Sequence, residues 1–112
     1  MKAIQAHPHR GLDGLTLVDL PDPGEPGPGA IRARVHATSL NFHDLGAVTE
    51  RRSSVDGRIP MADGAGVVEA IGSEVTDFKS GDHVVSTFFP TWLDGEATSS
   101  DFATTPGDEI DG

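Results

Sequence analysis

Among 112 residues, the side chains able to do chemistry concentrate in two short stretches, Asn41-Phe42-His43-Asp44 and the acid Asp63 inside a glycine-rich run. His43 titrates near neutrality in its ordinary state, at about pH 6.5, so it could shuttle a proton to a reduced carbonyl or quinone oxygen. Its plainer alternative is an exposed helix histidine. Asp63 neighbours a run expected to be buried, and a buried carboxylate is costly unless paired. It therefore reads as an acceptor that fixes a turn, with Arg58 as its candidate partner. His7-Pro8-His9 offers two imidazoles from one extended segment, a metal hypothesis that lacks a third ligand in the sequence. His36 and His83 alternate with apolar neighbours and read as residues of polar strand faces. There is no Gly-x-Ser-x-Gly elbow, no phosphate loop and no cysteine pair. Hydrolase and kinase chemistry thus find no support.

Those residues must be positioned mainly by strands. Met1 to Ala6 and Leu15 to Leu20 read as strands around the turn residues Gly11, Asp13 and Gly14. The run from Pro21 to Gly29 holds four prolines, which lack donors and fix φ, so it is a loop. From Ala30 to Ala37 the residues Ile31, Ala33 and Val35 alternate with Arg32, Arg34 and His36, the period of a half-buried strand. Asn41 is a good helix N-cap and Asp44 suits the positive end of the helix dipole, predicting about two turns that end near Thr49. On that reading Asn41 is a cap and Phe42 fills the core. Residues 50–57, with Arg51 and Arg52 among them, read as an exposed connector. Ala65 to Ile71 and Asp82 to Thr87 are predicted as buried strands. Many strands and turns together predict a closed or nearly closed barrel, because closure removes unpaired sheet edges.

The glycine-rich run is Asp63, Gly66, Val68, Gly72, Val75, Gly81, Asp82 and Val84, eight spaced positions within 22 residues. With Asn41 to Asp44 upstream, it is similar to the front half of the medium-chain dehydrogenase/reductase family, and more narrowly to its zinc-independent, quinone-oxidoreductase-like branch. The resemblance implies a mainly β, GroES-like twisted barrel with one short helix, complete or incomplete in its closing strands. It also implies that Asn41, Phe42 and Asp44 face the nicotinamide end of the cofactor. There an amide could position a carbonyl group and an aromatic edge could exclude water from the hydride path. Zinc-dependent relatives carry cysteine where Asn41 stands and histidine where Ala62 stands. A carboxamide and a methyl group do not replace those donors, so no zinc is expected.

Length and charge bound the rest. A chain of 112 residues suffices for one small domain, and a doubly wound nucleotide domain would need a further run of alternating strands and helices. The nearest dinucleotide-like run, Gly64-Ala65-Gly66-Val67-Val68-Glu69, has glutamate where the third small residue belongs. The chain reads as the amino-terminal portion of a longer enzyme or a shortened relative. It would be the substrate-side domain of an NAD(P)H-dependent oxidoreductase acting on quinones, enones or related small carbonyl compounds, and would neither bind cofactor tightly nor turn over alone. The alternative is a noncatalytic GroES-like binding or assembly module, with a homodimer as one outcome of an unclosed sheet edge.

The net charge of −10 gathers toward one end. Residues 91–112 hold six acids and no base, leaving 12 acids against 8 bases in residues 1–90. The sequence accordingly divides into a barrel over 1–90 and an acidic, partly ordered tail or unfinished closing segment over 91–112, where Trp92 and Phe102 offer little apolar surface to offset ordering. No basic stripe interleaves with aromatics, so nucleic acid is not an expected partner. No long apolar run predicts a membrane span. With no cysteine to oxidise, a cytoplasmic location is the default expectation.

Overall fold

The computed structural model describes residues 1–49 and 55–112; residues 50–54 of the predicted connector lie outside that description. Strand β1 (Lys2–Gln5) pairs antiparallel with β2 (Thr16–Asp19) in a hairpin. Between them Pro8–Gly14 forms a 3₁₀ segment that opens on proline, whose missing N–H is no loss at a helix start. The run from Pro21 to Gly29 is a loop, as its missing donors require. Strand β3 (Ile31–Ala37) pairs antiparallel with β4 (Ala65–Ile71), with irregularities after Arg32 and Val35, and β4 pairs antiparallel with β5 (His83–Val85). Helix α1 (Phe42–Val48) has Asn41 as N-cap and Thr49 as C-cap, and it packs against the 3₁₀ segment. The β4 and α1 boundaries coincide with the sequence reading.

Closure does not occur among the described residues. The strands divide into a two-stranded sheet, β1-β2, and a three-stranded sheet in the order β3-β4-β5. The fold class is thus the mainly β, incomplete GroES-like arrangement rather than a closed barrel. Two consequences depart from the sequence pattern. Val35, expected inside, is 65% exposed, and β5, expected buried, carries Val85 at 76% exposure. Alternation specifies which face a side chain takes; burial needs a second layer over that face. The compact centre consists of Ala6, Ala47, Val48, Ala62 and Val68, all buried.

The motif glycines serve close backbone approach. A Cβ on Gly66 would press on the Arg34 backbone across the β3-β4 ladder, and one on Gly72 would strike the backbone of Gly27. Asp82 of the Gly-Asp pair accepts the Lys79 backbone N–H at 2.9 Å and meets the Lys79 ammonium at 3.2 Å. These bonds hold its carboxyl below the ordinary carboxylate value, the backbone bond most strongly. The aspartate therefore pins the turn that delivers β5.

The acidic segment 91–112 is laid against the body. Ser99–Phe102 forms a short 3₁₀ turn, Thr105 and Asp108 are buried, and the Gly112 N–H donates to the Ile59 carbonyl at 2.9 Å. Asp111 accepts from the Ile59 N–H at 3.1 Å and from the Arg58 guanidinium at 3.3 Å. Phe102 meets Phe89 edge-on, with ring centres 5.1 Å apart, and Trp92 lies 6.0 Å from the same ring. Apolar area within the segment is scarce, so its contacts come from backbone, carboxylate and aromatic partners elsewhere in the chain.

Candidate functional site

Asp63 is the centre of a hydrogen-bonded cluster at the mouth of α1. Its Oδ2 accepts from Ser39 Oγ at 2.6 Å and from Asn41 Nδ2 at 2.9 Å, while its carbonyl accepts from Thr38 Oγ1 at 2.5 Å. The proposed Arg58 pairing is a correction: Asp63 is satisfied by neutral donors at the β3-α1 junction, whereas Arg58 reaches Asp111 and the Glu109 carbonyl. The Ser39 bond first, then the Asn41 bond, lowers the Asp63 pKa below its ordinary value, against a smaller opposing effect of desolvation. Folding therefore gains from the ionised form. That gain is complete above the ordinary aspartate range and is lost as pH falls through the depressed folded value. Ser39→Ala is expected to raise the Asp63 titration midpoint seen by NMR; an unchanged midpoint would show that the hydroxyl bond does not hold the charge.

Asp44 works inside the helix entrance. It is only 4% exposed, and it forms a capping box with Asn41 in which Asp44 Oδ2 accepts the Asn41 N–H at 2.7 Å. Its other oxygen accepts the Ala62 N–H at 3.3 Å. One carboxylate thus ties the start of α1 to the turn bearing Ala62 and Asp63. Ser86 Oγ closes the far side, accepting the Gly64 N–H at 2.8 Å and donating to the Ala62 carbonyl at 3.4 Å.

His43 is not the exposed residue that its helix position suggested. Its side chain is 12% exposed, Nε2 lies 3.1 Å from Asp108 Oδ2, and Nδ1 lies 3.8 Å from Asp44 Oδ1 with no hydrogen bond of its own. Phe88 meets its ring edge-on at 5.2 Å. The two ring nitrogens therefore face carboxylates, and the geometry supports a clamp between α1 and the acidic segment. Phe42, expected in the core on one reading, is 79% exposed. Leu40, on the other side of Asn41 in the chain, is exposed as well.

His36 and His83 are exposed, as read from the alternation. The His7-His9 pair does find a carboxylate, with the two Nδ1 atoms 2.9 and 3.4 Å from Asp56 Oδ1. Among the described residues, however, no group of three His, Cys, Asp or Glu side chains is arranged to hold a metal ion.

The structure brings Asn41, Asp44, Ala62 and Asp63 together, with the half-buried His43 in the same first turn of α1. Ser39, Thr38, Ser86 and Asp108 were missed. Ser39 and Thr38 carried a usable signal, standing just ahead of the N-cap where strand β3 must turn into α1. Asp108 carried none, because 65 residues separate it from His43. Chemically the cluster is a carboxylate held among neutral donors, in a stretch of chain that also carries the exposed Leu40 and Phe42.

No helix among the described residues is long and apolar enough to cross a membrane. A zinc-type alcohol dehydrogenase-like protein of Schizosaccharomyces pombe is 37% identical over 97 residues, which cover 84% of this chain and 27% of that protein. A quinone oxidoreductase of Pseudomonas aeruginosa is 43% identical over 88 residues, 74% of this chain and 26% of that one. The crystal structure of a candidate alcohol dehydrogenase from Sinorhizobium meliloti superimposes with a TM-score of 0.82 at 35% identity, covering 99% of this chain and 33% of its counterpart. The chain thus spans about a third or less of the length of these relatives. The match to the profile of the alcohol dehydrogenase GroES-like domain runs over residues 27–108, from the proline-rich loop through the cluster around Asp63 to the Asp108 that grips His43, and the chain belongs to that family.

Proposed function

We propose that this chain supplies the substrate-side wall of the cleft in an NAD(P)H-dependent, zinc-independent oxidoreductase acting on quinones, enones or related small carbonyl compounds, and that it is inactive without a nucleotide-binding partner domain. The observation that carries this reading is the pairing of Asn41 with Asp63 beside Ala62. These are the positions where zinc-dependent relatives place thiolate and imidazole. A carboxamide already bonded to a carboxylate, next to a methyl group, does not make a zinc donor set.

The nicotinamide, when bound, supplies the hydride. The residues of this chain bind and orient. Asn41 Nδ2 has two hydrogens, of which one goes to Asp63, leaving the second for a carbonyl oxygen in the cleft. Asp63 holds that amide in place, and Asp44 holds the backbone that carries it. Phe42 and Leu40 exclude water along the rim. His43 keeps α1 against Asp108, and to carry a proton it would first have to leave that partner.

The test uses the purified chain. NADPH oxidation in the presence of a benzoquinone should run no faster than in buffer, and dialysed protein should retain no stoichiometric zinc. The double variant Asn41→Cys with Ala62→His should acquire zinc. Turnover by the unmodified chain would refute the division of labour between domains, whereas one tightly held zinc per unmodified chain would refute the metal-free reading.

A further inference from the structure

We infer that Ser39 is a positioning residue for Asn41: through one shared oxygen of Asp63 it decides that the carboxamide offers its N–H, and not its C=O, to a ligand. Resting on the role proposed for Asn41, this makes the ligand a hydrogen-bond acceptor such as a carbonyl oxygen.

The donor and acceptor ends of an amide side chain have nearly the same size, so shape does not orient it and its partners must. Asn41 is addressed from both ends. Its Nδ2 donates to Asp63 Oδ2 at 2.9 Å, and because a carboxylate can only accept, an ionised Asp63 draws the donor end. In the capping box the opposite end, Oδ1, faces the Asp44 N–H, whose backbone bond goes to the Asn41 carbonyl at 3.1 Å. One Nδ2 hydrogen remains for a ligand. A protonated Asp63 reverses the preference. Its O–H is a donor, and the amide oxygen is the acceptor that suits it, so the pull on the donor end disappears with the charge.

Ser39 is what keeps that charge. Its Oγ donates to the same Oδ2 at 2.6 Å, the length of a charge-assisted O–H···O bond. Of the two donors it does more to hold the carboxyl below its ordinary value. Thr38 bonds to the same residue at another atom, Oγ1 to the Asp63 carbonyl at 2.5 Å, which anchors the backbone without touching the carboxylate. The roles thus separate: Thr38 sets where Asp63 stands, Ser39 sets its protonation state, and Asn41 follows that state. The neighbouring charged groups are engaged elsewhere. Asp44 accepts the Asn41 and Ala62 N–H groups, and His43, 3.8 Å from Asp44 Oδ1, turns its Nε2 to Asp108.

The test is an NMR titration of the isotopically labelled chain in which the Asp63 carboxyl carbon and the Asn41 side-chain amide are followed together. At neutral pH the Asn41 Nδ2 protons should show Overhauser contacts to the Ser39 and Asp63 side chains. Those contacts should be lost as pH falls through the midpoint of Asp63 itself. Ser39→Ala should raise both midpoints together with the circular dichroism spectrum unchanged, and Ser39→Thr, which keeps the hydroxyl, should restore them. Thr38→Val should leave both where they are. Amide contacts indifferent to the Asp63 titration in the unmodified chain would overturn the inference. So would a Ser39→Ala chain whose carboxyl midpoint rises while the amide does not follow. Turnover or bound zinc in the purified chain would instead sink the division of labour between domains and leave this titration as it is, so the two readings fail separately.

Discussion

Gly72→Ala is expected to cost about 3 kcal/mol or more and to move the urea midpoint accordingly. The added Cβ would fall within bonding range of the Gly27 carbonyl oxygen, 2.7 Å from its carbonyl carbon and 3.0 Å from the Pro26 carbonyl oxygen. All three are backbone atoms, so no side-chain rotation relieves the clash, and the proline-rich loop would have to leave β4. That loop is held there by the Gly29 N–H to Ser73 carbonyl bond at 2.6 Å and the Gly72 N–H to Ala30 carbonyl bond at 2.8 Å, which would stretch together. Gly81→Ala makes the contrast. Gly81 has φ of +93° but nothing within 4 Å of the added methyl, so its penalty is conformational, about 1 kcal/mol. Equal midpoints for the two variants would show that close approach at Gly72 is not what the motif requires.

Asp44→Ala is the second large effect, an expected loss of about 3 kcal/mol. The substitution strands the Asn41 and Ala62 N–H groups, and a buried donor left without its acceptor costs about 1 to 3 kcal/mol. It also removes negative charge from the first turn of α1. Asp44→Asn keeps one acceptor oxygen and should fall between wild type and alanine. Hydrogen exchange at the Asn41 and Ala62 amides should accelerate in both variants, alanine more than asparagine. Were exchange to accelerate at only one of these amides, the carboxylate would not be the link between helix and turn. Because Asn41 and Asp63 ride on these two segments, the same substitution should disturb the proposed cleft wall from behind, without touching anything in it.

Local chemistry was legible in the sequence wherever a residue type permits few conformations. The prolines of the 21–29 loop, the Asn41 and Asp44 cap and the apolar run of β4 each dictate backbone geometry within a few residues, and each element appeared where it was read. The spaced motif around Asp63 likewise carried the family, because glycine is obligatory where strands touch backbone to backbone.

The sequence alone determined the strand-rich class, the helix entrance and the absence of thiolate and imidazole at Asn41 and Ala62, since each depends on side-chain type or on neighbours along the chain. Tertiary structure decided the partners. Asp63 bonds to Ser39 and Asn41 instead of Arg58, His43 turns inward to an acid 65 residues away, and Val35 and Val85 remain exposed. Alternation along a strand states which side a residue faces, but only the packing of distant segments settles whether anything covers that side, because burial and pairing are properties of two surfaces and the local pattern describes one.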